Sequence, residues 1–495
     1  MKHTSIEDQY DIALVWAGIM SATLAALLYE LDPKLKIGIF ERLEQVALES
    51  SDAWNNAGTW HSAFCELNYT PPNPDWSIEI SKALSIAEQF EISKQFWSTL
   101  VERWYITDPS SFINQVPHCS LVTNEESVAY LYNRYQALSK NHLFQDMRYT
   151  QDPETLKKRF PLIMDGRKDN SPIAATHVSI GTDVNFGSLT RQIISYLQKH
   201  NHIQLYLGHD ILDIKKNKDN RTLDIKDSNA DCYRSINAKW VFIGGGGGSL
   251  PLFQWTKVAQ RKKYGWFPVS GQRLVCNNQD VIKKHDAKVY GRAEMDATPM
   301  SVPHLDTRII DGKKALLFGP YAGFTTRFLK KGSFLDLFRS VRWYNIKGML
   351  KSSKLNFSLI KYLIKEITQT KYDRIRSLQK FVPTAKYEDR DIQEAWYRVQ
   401  IIKTNKKDIG KLQFGTEVVV SEDRSLATLL GASPWASTSV SIMLNLIKKC
   451  FPEYLEGDHI NQIIPSYHHS LITDKEKTLQ VRKWTHSVLG IKNDL

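Results

Sequence analysis

At 495 residues the chain is too long for one small core, so two intimately joined domains are expected. With 42% hydrophobic and 24% charged residues it has globular composition, which excludes fibrous, collagenous and disordered classes. A net charge of +12 favours anionic partners, yet the basic residues are scattered and no zinc-type Cys/His spacing or RNA-binding motif occurs, so nucleic acid is not expected as a partner.

The first element to meet the eye is "YDIALVWAGIMSATLAALLYEL", residues 10–31. Its uncharged stretch from Ile12 to Tyr29 raises the question of a membrane segment. The preceding residues lean acidic, unlike the head of a signal peptide, and Gly18, Ser21 and Thr23 interrupt the apolar run. The strand-like "LKIGIFE" follows directly, giving strand, tight turn, helix, strand. That order is a dinucleotide-binding βα unit, in which the turn wants two glycines and a small third residue. Gly18 and Ser21 (or Ala22) suit the second and third places, while Trp16 stands in the first. Glu41 closes the second strand, where an acid meets a ribose hydroxyl.

A polar loop follows, and then apolar spacing that predicts an amphipathic helix between Ile78 and Trp104. Farther on, a buried strand, Trp240 to Ile243, runs into five glycines, Gly244 to Gly248. Residues 264–330 alternate apolar and polar as antiparallel sheet does, and 333–380 read as helices mixing aromatics with Lys and Arg. The last hundred residues return to strand, glycine turn and helix. The expected fold is α/β: a doubly wound, Rossmann-like domain (8–62, 179–252 and 396–495) interleaved with an antiparallel-sheet substrate domain (63–178 and 253–395). Five widely spaced cysteines fit reduced thiols of a cytosolic protein, and no metal site is expected.

The blocks "AGIMSATLAALLYELDP", "FERLEQVALESSDAWNNAGT", "SFINQVPH", "GTDVNFGSLTRQ", "VFIGGGGG", "FPVSGQ", "TPMSVPHLDTR", "LFGPYAGF", "RVQIIK", "GTEVV" and "LLGASP" with its following "ASTS" and "IMLNL" span nearly the whole chain. In residues and order they resemble the FAD-dependent malate:quinone oxidoreductases. The resemblance implies an FAD-binding Rossmann-like fold and oxidation of (S)-malate to oxaloacetate, with electrons passed through FAD to a membrane quinone. Another 2-hydroxy acid, such as 2-hydroxyglutarate, is the alternative substrate. It further implies that residue 16, Gly18, Ser21 and Glu41 bind the ADP half of FAD. Ser50, Ser51, Asn55, Asn56, Gly58, Thr59 and His61 would wrap its pyrophosphate and flavin edge. Gly244, Gly245 and Gly246 would close the nucleotide site, and Gly431, Ser433, Pro434, Ala436 and Ser437 would place a turn and helix start beside the flavin.

Malate carries two carboxylates and a hydroxyl proton, so the site needs a cationic fork and a base. In "SVPHLDTR", His304 and Arg308 stand four apart, on one face of a strand. His304 is expected as base and Arg308 as carboxylate clamp. His61 is the rival base, and Gln272, Gln400 and Lys403 are secondary substrate contacts. The basic, aromatic helices of 333–380 suggest peripheral attachment to an anionic membrane surface, on the inner face of the cell membrane.

One pattern resists the resemblance. Trp16, Trp60, Trp76, Trp104, Trp266, Trp396 and Trp435 each stand where the family pattern has glycine. Tryptophan is the poorest substitute where positive φ or backbone contact is required, and drift would bring in Ala, Ser and Asn as well. The expectation is a gene that uses UGA for glycine, decoded as though UGA meant tryptophan. The contrary reading is a tryptophan-bearing remnant that has lost FAD.

Overall fold

The computed structural model describes residues 7–59, 62–168, 171–292, 302–404, 410–413, 415–431 and 435–492. Short apolar runs such as "IALV", "IGIF" and "WVFI" form strands buried on both faces, as a parallel sheet requires. Their sheet runs in the order Glu417–Val420, Leu426–Leu430, Cys232–Ile243, Gln9–Val15, Ile37–Glu41, Ile203–Leu207. All neighbours are parallel except the edge strand Glu417–Val420. An antiparallel ribbon, His209–Lys216 with Arg221–Asp227, extends from the first half of Cys232–Ile243. From Gln9–Val15 the chain passes to Ile37–Glu41 on one side, and Cys232–Ile243 lies on the other. Doubly wound sheets bind ligands at such a switch point, beyond the carboxyl ends of the strands.

The uncharged opening run is core. Helix Ile19–Leu31 is buried on nearly every turn and packs with helices Phe186–Leu197 and Ser439–Cys450 against the sheet. A helix covered all round carries no polar face, which is why its sequence imitates a membrane segment. Among the described residues no helix is long and apolar enough to cross a membrane.

The second sheet runs Gly410–Gln413, Arg390–Thr404, Tyr264–Cys276, Lys313–Phe324, His304–Ile310, Lys288–Tyr290, His118–Thr123, Ile173–Val178, Arg148–Thr150. It is antiparallel except where Lys288–Tyr290 meets His118–Thr123. Strand Arg390–Thr404 crosses the boundary expected at 395/396 and pairs along its length in this sheet, so the chain returns to the first sheet only at Glu417. The helix expected over 78–104 is Ser81–Glu102, and segment 333–380 forms helices Asp336–Ser340, Ile346–Leu355, Phe357–Ile367 and Lys371–Phe381. All five cysteines are unpaired, and no His/Cys/Asp/Glu cluster suited to a metal occurs among the described residues.

Two buried histidines give the fold an acid limit. The His118 Nε2 lies 2.9 Å from the Thr182 carbonyl, and burial pushes this imidazole down to about 4, as it does that of His285. Both therefore stay neutral when folded and gain protons on unfolding below the ordinary histidine value. Their contribution is present above pH ~6.5 and is lost as pH falls towards 4, on the order of 3 kcal/mol per histidine. Urea midpoints should fall over this window, and His118→Gln should flatten the slope; an unchanged slope would contradict the assignment.

Candidate active site

A cleft opens at the carboxyl ends of Gln9–Val15, Ile37–Glu41, Cys232–Ile243 and Leu426–Leu430. Trp16, Gly18, Glu41, Ser50, Ser51, Asn55, Asn56, Gly244, Gly245, Gly246, Gly431 and Ala436 line it, gathering most of the expected nucleotide-binding residues from distant parts of the chain. The Glu41 carboxylate accepts from the backbone N–H groups of Ala17 (2.8 Å) and Leu43 (3.0 Å). Burial outweighs these bonds and raises its proton affinity above the ordinary glutamate value. Gly18, the residue before helix Ile19–Leu31, offers no side-chain cap, and Ser51 Oγ accepts from Ile19 N–H at 2.9 Å instead. Ser21 lies fully buried under the glycine turn, where a Cβ on Gly244 would collide with its hydroxyl. Ser21 thus fills the third, helix-packing place. Ser437 is buried as well and its carbonyl accepts from Ser93 Oγ at 2.6 Å. His61, Ser433 and Pro434 lie outside the described residues.

The loop that follows is held from behind by buried cations. Arg308 Nη1 donates to the carbonyls of Ala53 (2.9 Å) and Asn56 (2.6 Å), Arg273 to those of Trp54 and Asn56, and Lys288 Nζ to that of Ala57 (3.0 Å). Asp183 balances two of these charges, its Oδ1 lying 2.7 Å from Arg308 Nε and 2.9 Å from Lys288 Nζ. A Cβ at Gly58, whose φ is +54°, would enter the Arg308 guanidinium, so close approach and backbone both demand glycine there. Thr59 turns inward, with its hydroxyl 2.8 Å from that of Tyr290. The clamp role expected for Arg308 is therefore corrected. Its side chain is fully buried, its donors are spent on the loop, Val184 and Asp183, and it holds the loop 53–56 in place.

His304 does lie on the same strand face as Arg308, and Asp306 stands between them. His304 Nδ1 is 2.6 Å from Asp306 Oδ2, and its ring stacks flat on Tyr290 with centroids 4.4 Å apart. Burial pushes the Asp306 carboxyl up, but His304, Lys288 and Arg308 outweigh it and keep the group below its ordinary value, ionised. An ionised carboxylate on Nδ1 fixes the imidazole and leaves Nε2 as the basic nitrogen. The His304 side chain keeps 16% of its surface open.

Two arginines line the cleft, Arg42, which pairs with Glu49 at 3.2 Å, and Arg398, which stands in register with Val269. Desolvation pulls the Arg398 guanidinium down to about 10, while Tyr290 and Tyr69 favour its charged form. It stacks on Trp396 at 4.2 Å and has no carboxylate partner among the described residues. Sequence reasoning passed over it although the strand's period puts it on the face of Gln400, two residues on. Gln400 itself is buried beside it. The other two secondary contacts are engaged elsewhere. Gln272 accepts from Arg374, and Lys403 Nζ pairs with Glu417 at 2.7 Å.

Residues 8–491 match the family Malate:quinone oxidoreductase (Mqo). The chain belongs to the malate:quinone oxidoreductase family. Among its relatives are a probable malate:quinone oxidoreductase of Flavobacterium psychrophilum, 51% identical over 97% of this chain and 98% of that one. Another, from a Geobacillus species, is 52% identical over 97% of this chain and 95% of that one. In fold the chain is similar to glycine oxidase from Geobacillus kaustophilus, with a TM-score of 0.56 at 14% identity over 90% of this chain and 95% of that one. L-α-glycerophosphate oxidase from Mycoplasma pneumoniae, in its FAD-bound form, gives a TM-score of 0.55 at 14% identity over 89% and 94%. A malate:quinone oxidoreductase is a flavoprotein enzyme that oxidises malate and passes the electrons to quinone.

The donor set of the cleft fits FAD at Glu41, at the start of helix Ile19–Leu31 and along the loop 50–56. It does not fit at residue 16. The Trp16 indole lies against the glycine turn, so close that a Cβ on Gly245 would fall inside its six-membered ring. Its Nε1 is buried without a partner. Backbone that a pyrophosphate would approach is covered by an indole.

Proposed function

We propose that malate binds between Arg398 and the His304–Asp306 pair, with Tyr290 joining the two. The observation that carries this is Arg398 itself, a desolvated cation on the cleft wall without a carboxylate partner among the described residues. A carboxylate of malate completes a charge-assisted fork there. His304 Nε2 takes the proton of the C2 hydroxyl, and Asp306 holds the imidazole and stabilises its charge. FAD, when bound, supplies the two-electron acceptor. Dye reduction with malate, lactate and 2-hydroxyglutarate tests the substrate class. Malate should lead, and a faster rate with 2-hydroxyglutarate would transfer the proposal to that acid.

The exchange with quinone places the enzyme at a membrane, and we propose that the helices of 336–367 form the contact. They leave Phe338, Trp343, Leu350, Leu355 and Phe357 exposed, Trp343 by 82%. Lys347, Lys351, Lys354, Lys361 and Lys365 alternate with them along the same segment. Apolar groups that enter the acyl boundary, ringed by lysines, suit an anionic lipid surface such as the inner face of the cell membrane. Sedimentation should show binding to vesicles rich in phosphatidylglycerol, weakened by salt and by Trp343→Ser with Phe357→Ser. Equal binding to neutral vesicles would remove the electrostatic part.

A further inference from the structure

The tryptophans divide into two kinds by backbone. Trp97 lies in helix Ser81–Glu102 against Phe112 and Phe186, Trp240 lies in a buried strand against Phe242 and Phe451, and Trp484 donates its Nε1 to Glu102 at 2.8 Å. These residues have regular backbone and aromatic or polar company. Trp16, Trp76 and Trp104 have φ of 69°, 63° and 64°, in the left-handed region where a Cβ meets the following carbonyl.

Each of the three occupies a motif whose glycine has a physical cause. Helix Ser81–Glu102 has Arg103 as its C-cap; beyond it the Trp104 N–H bonds to Val101 O at 3.1 Å and the Tyr105 N–H to Leu100 O at 2.9 Å. That pair of bonds is a Schellman motif, and residue 104 is its left-handed position, held by glycine because no Cβ intrudes. The indole gains nothing in return, being 72% exposed. At "NPDWS" the Trp76 N–H bonds to Asn73 O (2.9 Å) and the Asn73 N–H to Ser77 O (2.8 Å). This is a three-residue hairpin loop closed by a left-handed bulge residue, again a glycine position. Trp76 is 50% exposed. Residue 16 is the first glycine of the dinucleotide turn, and there the indole covers the turn of Gly245 and Gly248.

We infer that residues 16, 76 and 104 are glycine in the protein its own cell makes, and that the cleft accepts FAD in that form. The left-handed set also holds Ala47, Ala63, Asn124, Asp231, Lys257, Asp311 and Arg424, but tryptophan, the bulkiest residue, recurs at three unrelated glycine motifs, which points to one codon. UGA, read as glycine by the cell and as tryptophan in decoding, produces this pattern. Of the other suspected positions, Trp266 and Trp396 lie in strands and are absent from the left-handed set, so the backbone makes no demand there. Trp60 lies outside the described residues, and Trp435 stands in a 3-10 turn.

The decisive experiment reads the gene and the protein together. Codons 16, 76 and 104 are sequenced, and tryptic peptides spanning them are weighed in enzyme purified from the source cells. UGA codons with glycine-mass peptides are expected; UGG codons, or tryptophan-mass peptides, overturn the inference. Recombinant chains supply a second reading, independent of the source organism. Trp16→Gly should raise the flavin absorbance retained on gel filtration at least tenfold over the literal chain. Trp76→Gly and Trp104→Gly, made singly in the Trp16→Gly chain, should each raise its unfolding temperature. Full flavin occupancy of the literal chain, or lower unfolding temperatures in both glycine variants, would also overturn it. None of these readings depends on which residue is the base.

Discussion

Replacing His304 by Asn in the flavin-loaded Trp16→Gly enzyme should lower kcat for malate by about 10³, within the range that a positioned base contributes. Flavin absorbance and the unfolding midpoint should stay near those of the parent, because the ring is partly open and touches the fold mainly through Tyr290 and Asp306. Asp306→Asn should cost less, on the order of 10² in kcat, since it removes the group that orients the base while leaving the base in place. A His304→Asn enzyme that kept most of its kcat would exclude His304 and turn attention to His61.

The second large effect is expected at Arg398. Losing a desolvated guanidinium that forks a substrate carboxylate costs about 2–5 kcal/mol, which is roughly 30-fold to 4,000-fold in kcat/KM. Arg398→Met should show the loss mainly in KM, and Arg398→Lys should recover part of it, keeping the charge but losing the fork. The natural contrast is Arg308→Met. That change takes from buried Asp183 one of its two cations and from the Ala53 carbonyl its donor, so it should lower stability and flavin retention together. If Arg398→Met left the malate KM unchanged while Arg308→Met raised it in a stably folded, flavin-loaded enzyme, the two assignments would be reversed.

Local signals announced the nucleotide half of the molecule. Strand, turn and helix are contiguous between Gln9 and Leu31, and the glycines after Ile243 follow their strand directly. Such features need no knowledge of distant pairing. The substrate half was read less well because its residues acquire meaning only across the sheet. Asp306 was visible between His304 and Arg308, and period-two alternation puts all three on one face. Whether a side chain on that face meets solvent or a buried aspartate depends on Asp183, more than a hundred positions away. Sequence alone singles out Arg308 and passes over Arg398, and only long-range packing separates the saturated cation from the open one. The misplaced boundary at 395/396 has a similar origin. The glycine turns and helices that follow belong to the nucleotide domain, and nothing in "EAWYRVQIIK" marks the strand as a partner of Tyr264–Cys276.

The position of Leu426–Leu430 has a consequence for how the molecule is born. This strand pairs with Cys232–Ile243, and Gly431 at its end forms part of the cleft wall. A ribosome releases it after every strand of the substrate sheet, so the cleft lacks a wall until residue 431 has been made. Once Cys232–Ile243 is made, the nascent chain must hold the earlier parallel strands with an open sheet edge until Leu426–Leu430 arrives. Chains stopped before residue 426 should be insoluble or chaperone-bound, and cofactor capture is an event of the finished polypeptide.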